Sequence, residues 1–465
     1  MSSMRSSSVQ HRLSHMDTET AYNKALDYLY SFVDYSLKHT DELVKAEFNL
    51  DRMFALMDML GDPQNDYPII HVAGTKGKGS VSALCASALT AAGYRAGLYI
   101  SPHLQDFCER IQVDGEPISR AELAALVEEI KPSVAKIPFI TTFELTTALG
   151  FLHFAHREVN AAVIEVGLGG RLDATNIITP RISVITSLSY DHMAVLGNTL
   201  SAIAGEKAGI LKEGVPVVSA PQKEEALSVL ERVAAQRHAP LTLVGRDVTF
   251  TPGEHSLEGQ TLTVKRHPSR VTRHSQIENP VILRIPLLGA FQVVNAATAF
   301  AVLQASGLNV PGPAIQKGFA EVRWPGRFEV LRREPPVILD SAHNIDSAEK
   351  LRQALEDYFP ACPVFLIFGA SEDKDVAGMF QVWKPRLARI ILTKADHPRA
   401  LEAGQLLGLA EQARIPAEAA TPVAEALRRA LELSAKEASL VLSAGSMFVT
   451  AEVRTAWQKI SSENR

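Results

Sequence analysis

The ten residues HVAGTKGKGS, 71–80, constrain this chain more than any other stretch. PIIHVAG (68–74) reads as a strand, and KGSVSALCASALTAAG (78–93) reads as a helix ended by Gly93. A strand that passes through a glycine-rich loop straight into a helix is the plan of a mononucleotide phosphate cradle. Backbone N–H groups curl around phosphate oxygens, the helix N-terminus adds its positive end, and Lys78 supplies a mobile cation. Gly74, Thr75, Lys76, Gly77, Lys78, Gly79 and Ser80 are therefore the expected phosphate-binding residues. The spacing departs from G-x-x-x-x-G-K-[ST]: Val72 occupies the first Gly position, and Gly79 separates Lys78 from Ser80, displacing the hydroxyl that usually meets Mg²⁺. A glycine-rich turn without a ligand is the bland alternative, and it leaves the flanking strand and helix unexplained.

The same alternation continues along the chain. RAGLYI (95–100), AAVIEV (161–166) and RISVITSL (181–188) read as buried strands, and Ser119 with Glu122 forms a capping box that starts another helix. Residues 246–280 break the rhythm with turn-rich alternating sequence, the pattern of a small antiparallel excursion. After WPGR (324–327) a second unit begins: VILD (337–340), a helix from about Asp346, PVFLIFGA (363–370), RIILTK (389–394) and SLVLSAG (439–445). The expected fold class is α/β, a phosphate-loop ATPase domain with a mostly parallel sheet followed by a smaller Rossmann-like α/β domain without a phosphate loop. The expected division is a disordered leader over 1–17, a first domain over 18–325 and a C-terminal domain over 326–465.

Composition narrows the class of partner. Forty-seven Lys and Arg against 52 Asp and Glu leave a net charge of −5, which offers no global attraction to nucleic acid or to an anionic membrane. Any anionic ligand has to be held locally. Cys85, Cys108 and Cys362 form an odd, widely spaced set without a C-x-x-C pair, so neither a disulfide framework nor a cysteine zinc site is indicated, and a reducing cytoplasm is expected. No apolar run reaches the roughly 18 residues that span a bilayer. Residues 1–16 are Ser-rich with two Arg and no acid; an organelle-targeting leader is one reading, and a frayed tail before a helix near Thr18 is the expected one.

A magnesium nucleotide needs hard oxygen ligands beside the cradle, and α/β sheets present loops at the C-terminal ends of neighbouring strands. Ser101 opens SPHL after the strand 95–100, Glu165 ends a strand within EVGLGGRLDATN (165–176), and Asp191 and His192 form a polar pair in SYDH. Singly, each is more often a cap, an ion-pair partner or a structural histidine; their convergence on one sheet edge favours a site. Lys207 in EKAGIL (206–211) has a bland role as a surface ion pair. A desolvated lysine near a metal is the functional one.

GTKGKGS, SPHL, FELTTALGF, EVGLGGRLDATN, SYDH, EKAGI, QVVNAATA, PGR, DSAHN and GSMFVTAEVR follow one another in an order that resembles the folylpolyglutamate synthases, of the bifunctional dihydrofolate synthase type, within the Mur ligase superfamily. The resemblance covers roughly residues 45–460 and implies a Mur-ligase-like fold binding ATP between its domains. It implies that Ser101 and Glu165 bind one Mg²⁺, while His192 and a carbamylated Lys207 help bind a second. Lys78, His192 and Lys207 are then the expected catalytic groups, and CO₂ on an amine yields the hard anionic oxygen that Mg²⁺ prefers. Asn295, Arg327, Asp340 and His343 correspond to nucleotide-site positions. Thr141, Thr142, Phe143 and Glu144, with Leu172, Asp173 and Ala174, correspond to a pterin pocket in which Phe143 would stack on the ring and Glu144 accept its N–H groups. Without the resemblance, 143–156 reads simply as an amphipathic helix. Ile345 stands where relatives commonly carry proline, a departure expected to loosen that loop while leaving Asp340 and His343 in place.

The implied reaction joins L-glutamate to dihydropteroate and to reduced folates through an acyl phosphate, in a cytoplasmic monomer with small-molecule substrates and no nucleic-acid or membrane partner. A synthase that only extends the folate tail is the nearest alternative. A muramyl-peptide ligase would lack SPHL and GGRLDATN, a nucleotide-binding regulatory module would show no turnover with glutamate, and a simple phosphotransferase would need an acceptor motif that the second unit lacks.

Overall fold

The computed structural model describes residues 18–35, 38, 48–267, 280–437 and 439–463. The serine-rich leader lies outside them, as does the stretch 268–279 of the antiparallel excursion. The first sheet contains β1 (Ile69–Ala73), β2 (Ala96–Tyr99), β3 (Ile111–Val113), β4 (Glu116–Pro117), β5 (Ala161–Glu165), β6 (Ile182–Ile185), β7 (Val217–Ser219) and β8 (Leu241–Leu243). Its order is β4-β3-β2-β5-β1-β6-β7-β8. All neighbours from β2 to β8 are parallel, and only β3 and β4 run antiparallel at one edge.

Parallel strands covered on both faces need apolar residues at nearly every position, and the two-residue period divides them between two cores. Ile70, Val72, Ala161 and Val163 face a core built with the helices Lys78–Ala91, Ala290–Ala305 and Gly312–Glu321. Ile69, Ala162 and Ile164 face the opposite core, built with the helices Thr18–Tyr30, Asp51–Leu60, Arg120–Val134 and Thr142–His156. The last of these is not amphipathic: Thr142 and every residue from Glu144 to Phe154 are buried. It lies between the sheet and other helices, and the Thr146 and Thr147 hydroxyls bond to carbonyls one turn back at 2.7 and 2.9 Å, so polar side chains cost little there.

The excursion is a three-stranded antiparallel sheet, β11-β10-β9, from β9 (Val248–Ser256), β10 (Gly259–Arg266) and β11 (Val281–Ile285). Leu262, Val264, Leu283 and Ile285 close the first core from outside. The third sheet holds β12 (Glu329–Arg333), β13 (Pro336–Leu339), β14 (Val364–Phe368), β15 (Leu387–Leu392), β16 (Ala417–Ala419) and β17 (Leu440–Ala444) in the order β12-β13-β17-β14-β15-β16, parallel except for β12. Helices cover both faces. Ile345 opens the helix Ile345–Tyr358, and Asn344 before it caps the helix by accepting the Ser347 N–H at 3.0 Å. No helix among the described residues is long and apolar enough to cross a membrane.

Candidate active site

Loops at the C-terminal ends of β1, β2, β5 and β6 in the first sheet, and of β13, β14, β15 and β17 in the third, line one cavity of about 1150 Å³. Every residue singled out in the sequence as a site candidate lines it. The glycine-rich loop runs from β1 into the helix Lys78–Ala91, whose N-cap is Gly77 at φ +89°. A Cβ at Gly77 would meet Asn295 Oδ1 at 2.3 Å, and one at Gly79 would meet the Trp324 ring at 2.5 Å, so the loop closes only with glycine at both positions. Thr75 and Lys76 donate their N–H groups to Ser187 O at 3.0 and 3.1 Å. The backbone donors left for an anion are those of the first helical turn, 77–80.

Lys78 and Glu165 face each other with Nζ 3.8 Å from Oε1. Glu165 ends β5 and is buried, and burial raises its carboxyl against the pull of Lys78, Arg327 and the Ser101 N–H, which bonds to it. Lys207 is buried in the last turn of the helix Leu200–Ala208, with no ion pair among the described residues, which rules out the surface ion pair. Desolvation first, then Lys78, pushes its amine down to about 7. Arg171 N–H bonds to Glu206 O at 2.8 Å, so the GLGGRL loop seats directly on this lysine's turn. His192 adopts φ +50°, and desolvation lowers its imidazole to about 4, leaving a free lone pair at neutral pH.

Asp191, a candidate oxygen ligand by position, is committed elsewhere. Its carboxylate accepts from Lys76 Nζ at 3.0 Å, from Lys374 Nζ at 3.4 Å and from Asn344 Nδ2 at 3.3 Å. Burial would raise this carboxyl, but His343, Lys76, His192 and Lys374 together hold it far below the usual range. His343 Nδ1 donates to Ser341 O at 2.8 Å, so Nε2 accepts from Lys76 Nζ at 2.9 Å. Lys76 is thus a tie to the second unit. Asp340 is buried and accepts the N–H groups of Phe328 and Ala342, both at 2.8 Å; burial raises its carboxyl and Arg327 opposes this.

At the other end of the cavity Phe143 packs on Gly167, where a Cβ would lie 2.4 Å from the ring. Glu144 accepts from Thr141 N at 2.7 Å and from Arg52 Nε at 3.0 and 3.2 Å, so its carboxylate both caps the helix and holds an arginine. Asp173 accepts from Leu168 N at 2.9 Å and from the Thr175 N–H and hydroxyl at 3.0 and 2.5 Å. Thr175 in turn bonds to His71 Nε2 at 2.9 Å. Sequence reasoning missed Arg52, Lys374, His397 and Arg399. Arg52 carries no local signal; the other three stand in the polar runs SEDKD and DHPR that follow β14 and β15, which is the signal that finds them.

Residues 72–303 match the Mur ligase middle domain, and residues 326–447 match the family described as Mur ligase, glutamate ligase domain. The chain is 35% identical over 448 residues to the dihydrofolate synthase/folylpolyglutamate synthase of Bacillus subtilis, covering 94% of this chain and 99% of that protein. It is 36% identical over 406 residues to the protein of the same name from Mycobacterium tuberculosis, covering 83% and 82%. Among solved structures it is similar to Mycobacterium tuberculosis folylpolyglutamate synthase complexed with ADP, at TM-score 0.85 and 32% identity over 95% of this chain and 99% of that one. It is also similar to E. coli FolC in complex with DHPP and ADP, at TM-score 0.79 and 29% identity over 93% and 100%.

Proposed function

Since the chain belongs to the dihydrofolate synthase/folylpolyglutamate synthase family of Mur ligases, we propose that it is an ATP-dependent ligase joining L-glutamate to dihydropteroate and to reduced folates. The observation that carries this reading is the facing of the phosphate loop and Glu165, on one sheet edge, against the loops of the third sheet across one cavity. In the reaction the acceptor carboxylate attacks the γ-phosphorus of ATP, forming an acyl phosphate and releasing ADP. The glutamate amine then attacks the acyl carbon, phosphate leaves and an amide forms.

The N–H groups of 77–80 and the Lys78 ammonium hold the phosphates, and Asn295, Arg327, Asp340 and His343 surround the rest of the nucleotide from both units. The donor set fits Mg²⁺: a nucleotide-bound magnesium ion takes most ligands from phosphate and water, so Glu165 and Ser101 suffice without the three-residue His, Cys, Asp or Glu cluster that the described residues lack. Such an ion would neutralise charge developing on the transferred phosphoryl group. Lys207, buried and low in basicity, is suited to add CO₂ through its nitrogen and lose a proton, and the resulting carbamate with His192 would hold a second ion. Thr141, Thr142, Phe143, Glu144, Leu172, Asp173 and Ala174 form the pterin end, with Arg52 fixing Glu144. Residues 18–325 and 326–465 act as two domains whose contact excludes water from the acyl phosphate. With Cys85 and Cys108 buried as free thiols, the enzyme suits the cytoplasm, where it would act as a monomer.

ADP release by the purified protein tests the reading, with ATP, glutamate and either dihydropteroate, a reduced folate, a uridine-linked muramyl peptide or no acceptor. Release with both pterin acceptors is expected. Turnover with a reduced folate alone would leave a tail-extending synthase, and turnover with the muramyl peptide alone would overturn the proposal.

A further inference from the structure

His71 opens the motif that runs into the phosphate loop, yet its side chain does not line the cavity. It sits in the middle of β1, opposite Ile164 of β5 and Ser183 of β6, with no exposed surface. An alkyl side chain would fill that space without polar atoms to satisfy, so a buried imidazole in a central strand calls for a reason. Desolvation, followed by the charge of Lys212, lowers its basicity to about 3, and the ring is neutral with one proton.

The neighbours locate that proton. His71 Nε2 lies 2.9 Å from Thr175 Oγ1, and Nδ1 meets no partner. The Thr175 hydroxyl donates its single hydrogen to Asp173 Oδ1 at 2.5 Å, so toward the ring it can only accept. The bonds therefore run one way, from His71 Nε2–H to Thr175 Oγ1 and from Thr175 Oγ1–H to Asp173. Asp173 is buried and takes three further donors: the N–H groups of Thr175 at 3.0 Å, of Leu168 at 2.9 Å and of Gly167. Burial raises its carboxyl, and these four donors, which match the lone-pair directions of a carboxylate, oppose that.

Asp173 thus acts on its own loop. Gly167 packs under the Phe143 ring, a Cβ at Gly170 would lie 3.0 Å from Lys207 Cα, and Arg171 N–H is bonded to Glu206 O. One carboxylate sets the floor beneath the ring and beside the lysine.

We propose that His71 is a positioning residue for the acceptor end of the site: through Thr175 it fixes Asp173, and through Asp173 the turn 167–171 that seats Phe143 and Lys207. This rests on the ligase reading above. The imidazole N–H occupies the accepting side of the threonine hydroxyl and leaves that rotor one role, donation to Asp173, which locks the chain of bonds before any substrate arrives.

Nitrogen-15 spectra of the full chain labelled at histidine test the first link. The His71 ring, assigned by its loss in His71→Gln, should carry its proton on Nε2 and should not titrate between about pH 5 and about pH 9. A proton on Nδ1 overturns the proposal. Steady-state kinetics test the rest, with Thr175→Val keeping the shape of the side chain without its hydroxyl. It should raise the KM for dihydropteroate by about ten-fold and lower kcat, with the KM for ATP within about two-fold of wild type. His71→Phe should match it, and His71→Gln, whose amide N–H reaches the place of Nε2–H, should recover most of the loss. Added to Thr175→Val, His71→Phe should cost less than about a further two-fold, because the two residues act in series. Additive losses, or equal rises in KM for both substrates, overturn the proposal. Should His71→Phe not fold, the tautomer and Thr175→Val decide. A wild-type enzyme inactive with both pterin acceptors overturns the functional reading and leaves the tautomer result standing, so the two failures are distinct.

Discussion

The two walls of the cavity are built alike and equipped differently. Each is the C-terminal edge of a mostly parallel sheet, and each offers loops from four strands. On the first wall a strand passes through glycines into a helix, so the free donors are backbone N–H groups, with Lys78, Glu165 and Lys207 close behind. On the second wall β17 also passes through a glycine, Gly445, into the helix Met447–Glu463, but the loops after β14 and β15 add side-chain donors, Lys374, His397 and Arg399, and the wall ties back to Asp191 of the first. The difference teaches that sheet topology locates a site, while loop chemistry decides its ligand: backbone donors suit phosphate, and spaced side-chain donors suit a carboxylate.

The largest effect should come from disarming the first wall. Lys78→Ala or Glu165→Ala is expected to lower kcat by about a thousand-fold with the circular dichroism unchanged, because these groups meet developing phosphoryl charge rather than the fold. Near-normal turnover in either variant would break the assignment of phosphate chemistry to that wall.

A smaller effect should follow from cutting the tie between the walls. Asp191→Ala leaves Lys76 and Lys374 without their shared carboxylate, and breaking such a buried pair costs about 3 kcal/mol. Small-angle scattering of the unliganded variant should show a larger radius of gyration, and the KM for ATP should rise. A scattering profile identical to wild type would show that apolar packing alone holds the walls together.

The smallest effect concerns stability. Lys207 has its folded value lowered to about 7 from an ordinary 10.5, so between these limits the unfolded chain binds the extra proton and stability rises with pH; below about 7 both states hold it equally. In CO₂-free, metal-free buffer, Lys207→Met should therefore stabilise the fold by about 1–2 kcal/mol at pH 7. The gain should shrink toward pH 10. Thermal melts with a gain independent of pH would contradict a neutralised buried amine.

How much of this was legible in the sequence depends on the distance between partners. The phosphate loop, the strands around it and the box of Ser119 and Glu122 are local patterns, readable because periodicity and capping act within a few residues. The helix 142–156 was misread because the pattern of its own residues does not say that other helices cover its outer side. Lys76 looked like a phosphate ligand because it sits in the loop; its partners, Asp191 and His343, are 115 and 267 residues away.

By itself, then, the sequence determined which segments become strands and helices, where an anion can meet free backbone N–H groups, and, through motif order, the family. Only the tertiary structure decided that Asp191 serves as a tie, that Lys207 is desolvated and that Glu144 is spoken for by Arg52. The physical reason is range. Backbone geometry is set by neighbours in the chain, whereas burial, charge pairing and hydrogen-bond satisfaction are properties of a three-dimensional neighbourhood that the crossovers of two parallel sheets assemble from loops hundreds of residues apart.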